Sequence, residues 1–160
     1  MAATSASAAL PNERKVLITR VLDAPRSLVF KLWTDPQHMA QWWGPHGFTN
    51  PICEMDVQVG GALRIVMRAP DGVDYPMTGA FREIVVPERL VFVAVAEDAA
   101  GNPLLEALTT VTFEEHGSKT RLTVEASGVG LAPVAPQMLA GMEAGWTQSL
   151  EKLESYVTKV

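Results

Sequence analysis

The chain has 160 residues and carries 13 lysines and arginines against 18 aspartates and glutamates, a formal charge of -5. With no basic cluster to offset that balance, nucleic acid and anionic membrane surfaces are excluded as partners. No apolar run reaches the roughly 18 residues that a membrane span needs, whereas 48% hydrophobic residues suffice for the core of one domain. Cys53 is the single cysteine, so an internal disulfide is excluded and a reducing, cytoplasmic setting is expected. Without a CxxC pair or a basic neighbourhood it reads as a small buried apolar residue rather than a reactive thiol.

Residues 1–12, MAATSASAALPN, are rich in alanine and serine and lack the basic start and apolar segment of a secretory signal. They are expected to form a disordered tail, which leaves 13–160 as one domain. Lys15 to Asp23 reads as a strand. Asp23, Ala24 and Pro25 signal a helix start, followed by a short helix from Ser27 to Trp33. Asp35 and Pro36 repeat the signal, opening a second short helix that runs to Trp43 and is stopped by Gly44 and Pro45.

After Pro51 the hydrophobic period changes to two. Strands are expected over Cys53–Val59, Ala62–Arg68, Met77–Val86 and Arg89–Glu97, separated by Gly60–Gly61, by the Pro70–Asp71–Gly72 turn and by Pro87–Glu88. Leu105, Ala107, Thr109, Val111 and Phe113 then alternate with more polar neighbours. Beyond the turn at His116 and Gly117 an inward set of Thr120, Leu122, Val124 and Ala126 completes an antiparallel hairpin.

The C-terminal stretch from Val134 to Val160 changes period again. At about 100 degrees per residue, Met138, Met142, Trp146, Leu150, Leu153, Val157 and Val160 share an arc of roughly 120 degrees, so one long amphipathic helix is expected, starting at Pro133 and Pro136. Gly141, Gly145 and Ser149 line the edge of that arc. Glycine inside a helix costs about 1 kcal/mol against alanine. Two of them a turn apart mean either close approach to a sheet or a void walled by adaptable methionines. The element order describes an α+β domain: strand, two short helices, a curved antiparallel sheet of about six or seven strands in all, and a helix across one face. A straight helix of roughly 40 Å leaves part of a curled sheet uncovered, so the architecture tends to enclose a cavity.

From Ile18 onward the strand, APRSLVFKLWTDPQHMAQWWGPHGF, VGGALRIVMRAPDG, YPMTGAFREIVVPERLVF and the closing GWTQSLEKLESYV together resemble the activator of heat-shock protein 90 ATPase homologue family, within the START-like or SRPBCC superfamily. The resemblance covers the chain from about Lys15 to its end. It implies a helix-grip fold, with a hydrophobic pocket between the long helix and the sheet, and a small apolar or amphipathic ligand. A few superfamily members are cyclases or aromatases, so an enzyme using the same pocket is the alternative. The family name also invites a chaperone-interacting, stress-related role. In the eukaryotic co-chaperone this domain is one of two and the other half is missing here, so no chaperone partner is expected.

The pocket residues expected on these grounds are Trp42, Trp43, Met67, Met77, Phe81, Phe92, Val111, Met138, Met142, Gly145, Trp146 and Ser149. One of the two adjacent tryptophans is expected to wall the pocket and the other to staple its helix to the sheet. Arg64, Glu83, Tyr75, His46 and Glu97 are the polar groups that could reach the pocket or its rim, but solvated positions or ion pairs are expected for them. Paired carboxylates, G-x-S-x-G and H-E-x-x-H are all missing, so no catalytic residue is assigned. His38, His46 and His116 fall on helix, loop and turn, so neither a metal site nor a cofactor is expected. Exposed strand edges are compatible with a homodimer, which nothing in the sequence decides.

Overall fold

The computed structural model describes residues 12–160. Residues 1–11 of the expected tail lie outside the described residues. Asn12 already pairs with the sheet: its carbonyl accepts from Gly130 N at 2.8 Å and its side-chain amide donates to Gly130 O at 3.0 Å.

The elements in chain order are β1 (Glu13–Leu22), α1 (Arg26–Thr34), α2 (Pro36–Trp42), β2 (Thr49–Met55), β3 (Ala62–Arg68), β4 (Asp74–Val85), β5 (Arg89–Glu97), β6 (Pro103–His116), β7 (Lys119–Gly130), α3 (Ala135–Ala140) and α4 (Met142–Val157). The seven strands make one antiparallel sheet in the order β1-β7-β6-β5-β4-β3-β2. Strands β2 to β7 form a meander of neighbours. The chain therefore enters at one edge, crosses through α1 and α2 to the other, and returns strand by strand until β7 pairs with β1. Helix α4 then lies over the inner face. This is the α+β order of elements expected from the sequence pattern, in the helix-grip arrangement that the family resemblance implies.

Period-two patterning decides which face is dry. On β7, Thr120, Leu122, Val124 and Ala126 are fully buried, and on β6, Thr109, Val111 and Phe113 are buried. Their neighbours Arg121 and Glu125 face solvent. Gly117, with φ at +64°, makes the tight connection between these strands at a conformation that glycine adopts without strain. Asp35 caps α2 through its carboxylate, which accepts from Gln37 N at 2.9 Å, and Pro36 occupies the first helical turn. Asp23 does not play that part for α1. Pro25 takes the cap position and no side chain bonds to the helix start.

Several boundaries differ from the sequence reading, β4 for instance beginning at Asp74 rather than Met77, and two of the differences change the architecture. Strand β2 begins at Thr49 and ends at Met55, so Pro51 lies inside it; β2 is an edge strand, where a missing N–H leaves no neighbour unpaired. The terminal helix is two helices, not one. Gly141 interrupts it, with φ -89° and ψ -2°: α3 packs on the sheet at β7 and β1, and Met142–Val157 forms the longer segment, about 24 Å. Extending one periodic arc through Gly141 put Met138 on the dry side. Instead Ala135 and Leu139 are buried, Met138 is half-buried and Val160 is 51% exposed.

Aromatic side chains from α1 and α2 fill one end of the groove under α4. Phe30 meets Phe113 edge-on at 5.0 Å, Trp33 lies 4.6 Å from Trp42 and 6.2 Å from Phe113, and both tryptophans are fully buried. Trp42 Nε1 donates to Leu32 O at 3.0 Å, which locks α2 against α1. At the same end, the buried Thr120 hydroxyl donates to Ala24 O at 2.7 Å and ties β7 to the start of the α1–α2 excursion. Thr120→Val keeps the shape and leaves that carbonyl without its donor. Chemical denaturation is expected to show a loss of about 1–3 kcal/mol, and an unchanged midpoint would contradict this role for the hydroxyl.

Candidate functional site

Directly opposed residues of an antiparallel pair share a face, so the sheet can be read across its strands as well as along them. Leu90 opposes Val111, filling the aromatic end of the groove. The next row is Phe81, Phe92 and Thr109. Beyond it come Gly79, Ala94, Ala107 and Gly128, a row across four strands with almost no side-chain volume. Gly79 accepts nothing larger, since a Cβ there would overlap the β5 backbone at Val93. At Gly128 a Cβ would lie 2.9 Å from a Leu139 methyl and 3.0 Å from Met142 Sδ, so this glycine lets the helices close on β7. Inward-facing bulk thus falls from Phe113 to Ala107 along β6 and from Phe92 to Ala94 along β5.

Above the depleted row α4 also lacks bulk. Gly145 has no atom within 4 Å of the position a Cβ would take, and Ser149 is the small residue one turn further on. Between these surfaces lies a cavity of about 210 Å³. Met67, Met77, Phe92, Ala94, Leu105, Ala107 and Thr109 form its floor and sides from the sheet, and Met142, Gly145, Trp146 and Ser149 form its roof. Trp43, Gly44 and Pro45, the segment leaving α2, make the remaining wall. The Trp43 ring meets Trp146 edge-on at 5.4 Å and Phe92 at 6.4 Å, closing the cavity toward the aromatic core. Gly44, at φ +93°, passes directly over Met67, where a Cβ would sit 2.9 Å from Sδ. Hydroxyls of Thr109 and Ser149 are the side-chain oxygens on the lining, and no ionisable group is part of it.

Beyond the packing of Trp43 and Phe48, the 43–48 wall is held by polar groups of α4. Gly44 N donates to Ser149 Oγ at 3.1 Å and His46 N donates to Gln148 Oε1 at 3.1 Å. His46 Nε2 lies 2.8 Å from Glu151 Oε1. Lys152 Nζ sits 3.3 Å from each of the carbonyl oxygens of Trp43, Gly44, Pro45 and Phe48. Three N–H groups are shared among four acceptors, and a cation at the exit of α2 also meets the negative end of that helix. Burial pulls the Lys152 ammonium below its ordinary pKa.

Eight of the twelve residues expected at a pocket are brought together here: Trp43, Met67, Met77, Phe92, Met142, Gly145, Trp146 and Ser149. Four are placed elsewhere. Trp42 is fully buried as the staple between α1 and α2, and Val111 is fully buried beside Leu90. Phe81 stands on the inner face but over a separate void of about 10 Å³ under Trp33 and Trp43. Met138 belongs to α3, before the break at Gly141. Missed lining residues are Gly44, Pro45, Ala94, Leu105, Ala107 and Thr109. For Ala94, Ala107 and Thr109 the signal was small residues alternating along β5 and β6, but the face they share and their place along the groove emerge only from the register between strands.

The polar candidates are all engaged outside the cavity. Arg64 pairs with Glu54 at 3.8 Å, Glu83 with Arg89 at 2.9 Å, and Glu97 accepts from the Thr78 hydroxyl at 2.9 Å. Tyr75 is 45% exposed beside Phe48. Burial, then the nearby carboxylates of Asp35 and Glu54, push the Cys53 thiol up to about 11, so it stays protonated at neutral pH. Among the described residues no group of histidine, cysteine, aspartate and glutamate could hold a metal ion, and no helix is long and apolar enough to cross a membrane.

Lys152→Met retains the stem of the side chain and removes the donor to four carbonyls. It is expected to lower stability by about 1–2 kcal/mol and to shift tryptophan emission to the red as the Trp43 wall loosens. Unchanged stability and emission would show that the ammonium does not hold the wall.

Comparison with known proteins agrees with this architecture. The family model described as Activator of Hsp90 ATPase homolog 1-like protein matches residues 23–158. A crystal structure of a Chromobacterium violaceum protein is similar, with 29% identity, a TM-score of 0.74, and coverage of 89% of this chain and 96% of that one. A solution structure from Arthrobacter aurescens has 27% identity and a TM-score of 0.77, covering 91% of this chain and 87% of the other. The AHSA1 protein of Silicibacter pomeroyi, at 24% identity and a TM-score of 0.76 over 91% and 98% of the two chains, shares the fold. Among curated proteins none matches. With the family model spanning nearly the whole described domain, the chain belongs to the activator of Hsp90 ATPase homolog 1-like family, within the START-like group of helix-grip proteins.

Proposed function

We propose that this protein is a binding module that holds a small apolar or amphipathic molecule between α4 and the sheet, without transforming it. The observation that carries the reading is the composition of the cavity wall: fourteen residues, none of them ionisable, around about 210 Å³. Proton transfer needs a positioned acid or base, and charge stabilisation needs donors aimed at one point. Two hydroxyls in an otherwise apolar lining provide neither. Apolar burial is what such a wall supplies, at roughly 25 cal/mol per Å² of ligand surface removed from water.

A cyclase-like or hydrolase-like enzyme in the same pocket is the second reading. It is weakened by Arg64 and Glu83, which pair with Glu54 and Arg89 outside the lining, and by Tyr75, which shares the Met67 face of the sheet but stands 45% exposed beside Phe48 and is not a lining residue. The family is named for an activator of the Hsp90 ATPase, but this reading assigns no chaperone partner to the chain. A cytoplasmic setting belongs to the same proposal, supported by a lone cysteine held as a thiol.

Gly145 provides the test, because a side chain there enters open space rather than the sheet. In a titration with an environment-sensitive hydrophobic dye, the wild type is expected to show saturable binding. Gly145→Leu is expected to lose at least about tenfold in affinity, while replacing a helical glycine raises stability by up to about 1 kcal/mol. Saturable binding of equal strength in wild type and variant would place the dye elsewhere and remove the support for this site.

A further inference from the structure

We infer that the ligand is an uncharged molecule of about two fused rings carrying a single hydrogen-bond acceptor, which Ser149 recognises. The inference rests on the binding reading above and narrows it in three respects: size, charge and polarity.

Size follows from the volume. An engineered apolar cavity of about 150 Å³ takes benzene, whereas drug-sized ligands occupy pockets of about 300–1,000 Å³. At about 210 Å³ the cavity lies between them, which suits one ring more than benzene and falls short of a sterol or a long acyl chain. Thioether groups of Met67, Met77 and Met142 and the rings of Trp43, Trp146 and Phe92 surround that volume. Sulfur and aromatic edges pack favourably against a flat ring system.

Charge is set by what the wall lacks. An ion lodged among the lining residues would give up water without meeting a counter-charge, which disfavours a charged group anywhere but at the open mouth of the pocket. The nearest cation of α4 on this side, Lys152, is directed at the carbonyls of residues 43, 44, 45 and 48. Neither a carboxylate nor an ammonium on the ligand has a partner among the lining residues.

Polarity is set by Ser149. Its Oγ accepts from Gly44 N at 3.1 Å, and a hydroxyl that accepts still has its own hydrogen to donate. The residue is only 5% exposed and lies on the cavity wall, so a carbonyl or ether oxygen of the ligand is the acceptor that meets this hydrogen. Burying the ligand without one would leave the O–H unsatisfied.

Calorimetric titration of the full-length protein with four probes, α-tetralone, naphthalene, naphthoate and palmitate, separates the possibilities. Tetralone is expected to bind tightest, with naphthoate weaker by at least about tenfold because its charge is unpaired. Ser149→Ala is expected to weaken tetralone by about fivefold and to leave naphthalene within about twofold, the difference of one neutral hydrogen bond. Naphthoate or palmitate binding as tightly as tetralone would overturn the inference and leave a binding module of another specificity. Equal weakening of tetralone and naphthalene by Ser149→Ala would remove the assigned acceptor contact. Failure of all four probes to bind would count against the binding reading itself.

Discussion

Glycine and alanine at positions 79, 94, 107 and 128 deny the middle of the sheet the side-chain volume that would fill the space under α4. The consequence is energetic as well as geometric. Around a pocket of about 210 Å³, apolar surface of helix and sheet goes without the dispersion contacts that a packed interior would give it. Larger residues at Ala94, Ala107 or Gly145 would fill the gap, and their small size keeps it open. The opposite end of the groove, packed by Phe30, Trp33, Trp42, Phe81 and Phe113, supplies the cohesion that makes this void tolerable.

The wall at Trp43 to Pro45 joins these two ends. Its aromatic residue packs inward between core and cavity, while the backbone from Trp43 to Phe48 is bound by Ser149, Gln148 and Lys152 and the His46 ring by Glu151, all on nearly consecutive positions of one helix. The same turns of α4 that roof the cavity therefore also fix its side. A change in the position of α4 would move roof and wall together, which makes the helix the element through which occupancy and stability are coupled.

Much of this was legible in the sequence. Period two over residues 105 to 126 and the Asp35–Pro36 start gave elements that the structure contains, their order gave an α+β domain, and the family resemblance implied the helix-grip architecture. Alternation separated the two faces of the strands, and on β7 the inward set of Thr120, Leu122, Val124 and Ala126 is the buried one. What alternation does not carry is position along the groove. Phe81 and Val111 face inward as expected, yet α1 and α2 occupy their end of it, and that depends on a crossover whose packing has no local signature. The depleted row was hidden for a related reason. Gly79, Ala94, Ala107 and Gly128 are far apart in the chain and become one feature only when the strand registers are known. Met138 failed differently: a single helical period was carried through Gly141, where the helix stops and restarts. Lys152 falls outside the apolar arc of the terminal helix, and nothing local in the sequence pairs it with carbonyls more than a hundred positions away.

Methionine methyl resonances report on the cavity without any assumption about its natural occupant. Of the chain's methionines, Met67, Met77 and Met142 line it, whereas Met39 is buried among the aromatic side chains and Met138 lies on α3. Xenon enters dry apolar cavities, so pressurising isotope-labelled protein with xenon is expected to shift the methyl signals of Met67, Met77 and Met142 progressively and to leave Met138 in place. Signals at the three lining positions that stay fixed under xenon would mean that helix and sheet are packed solid, and the account of this site would fail.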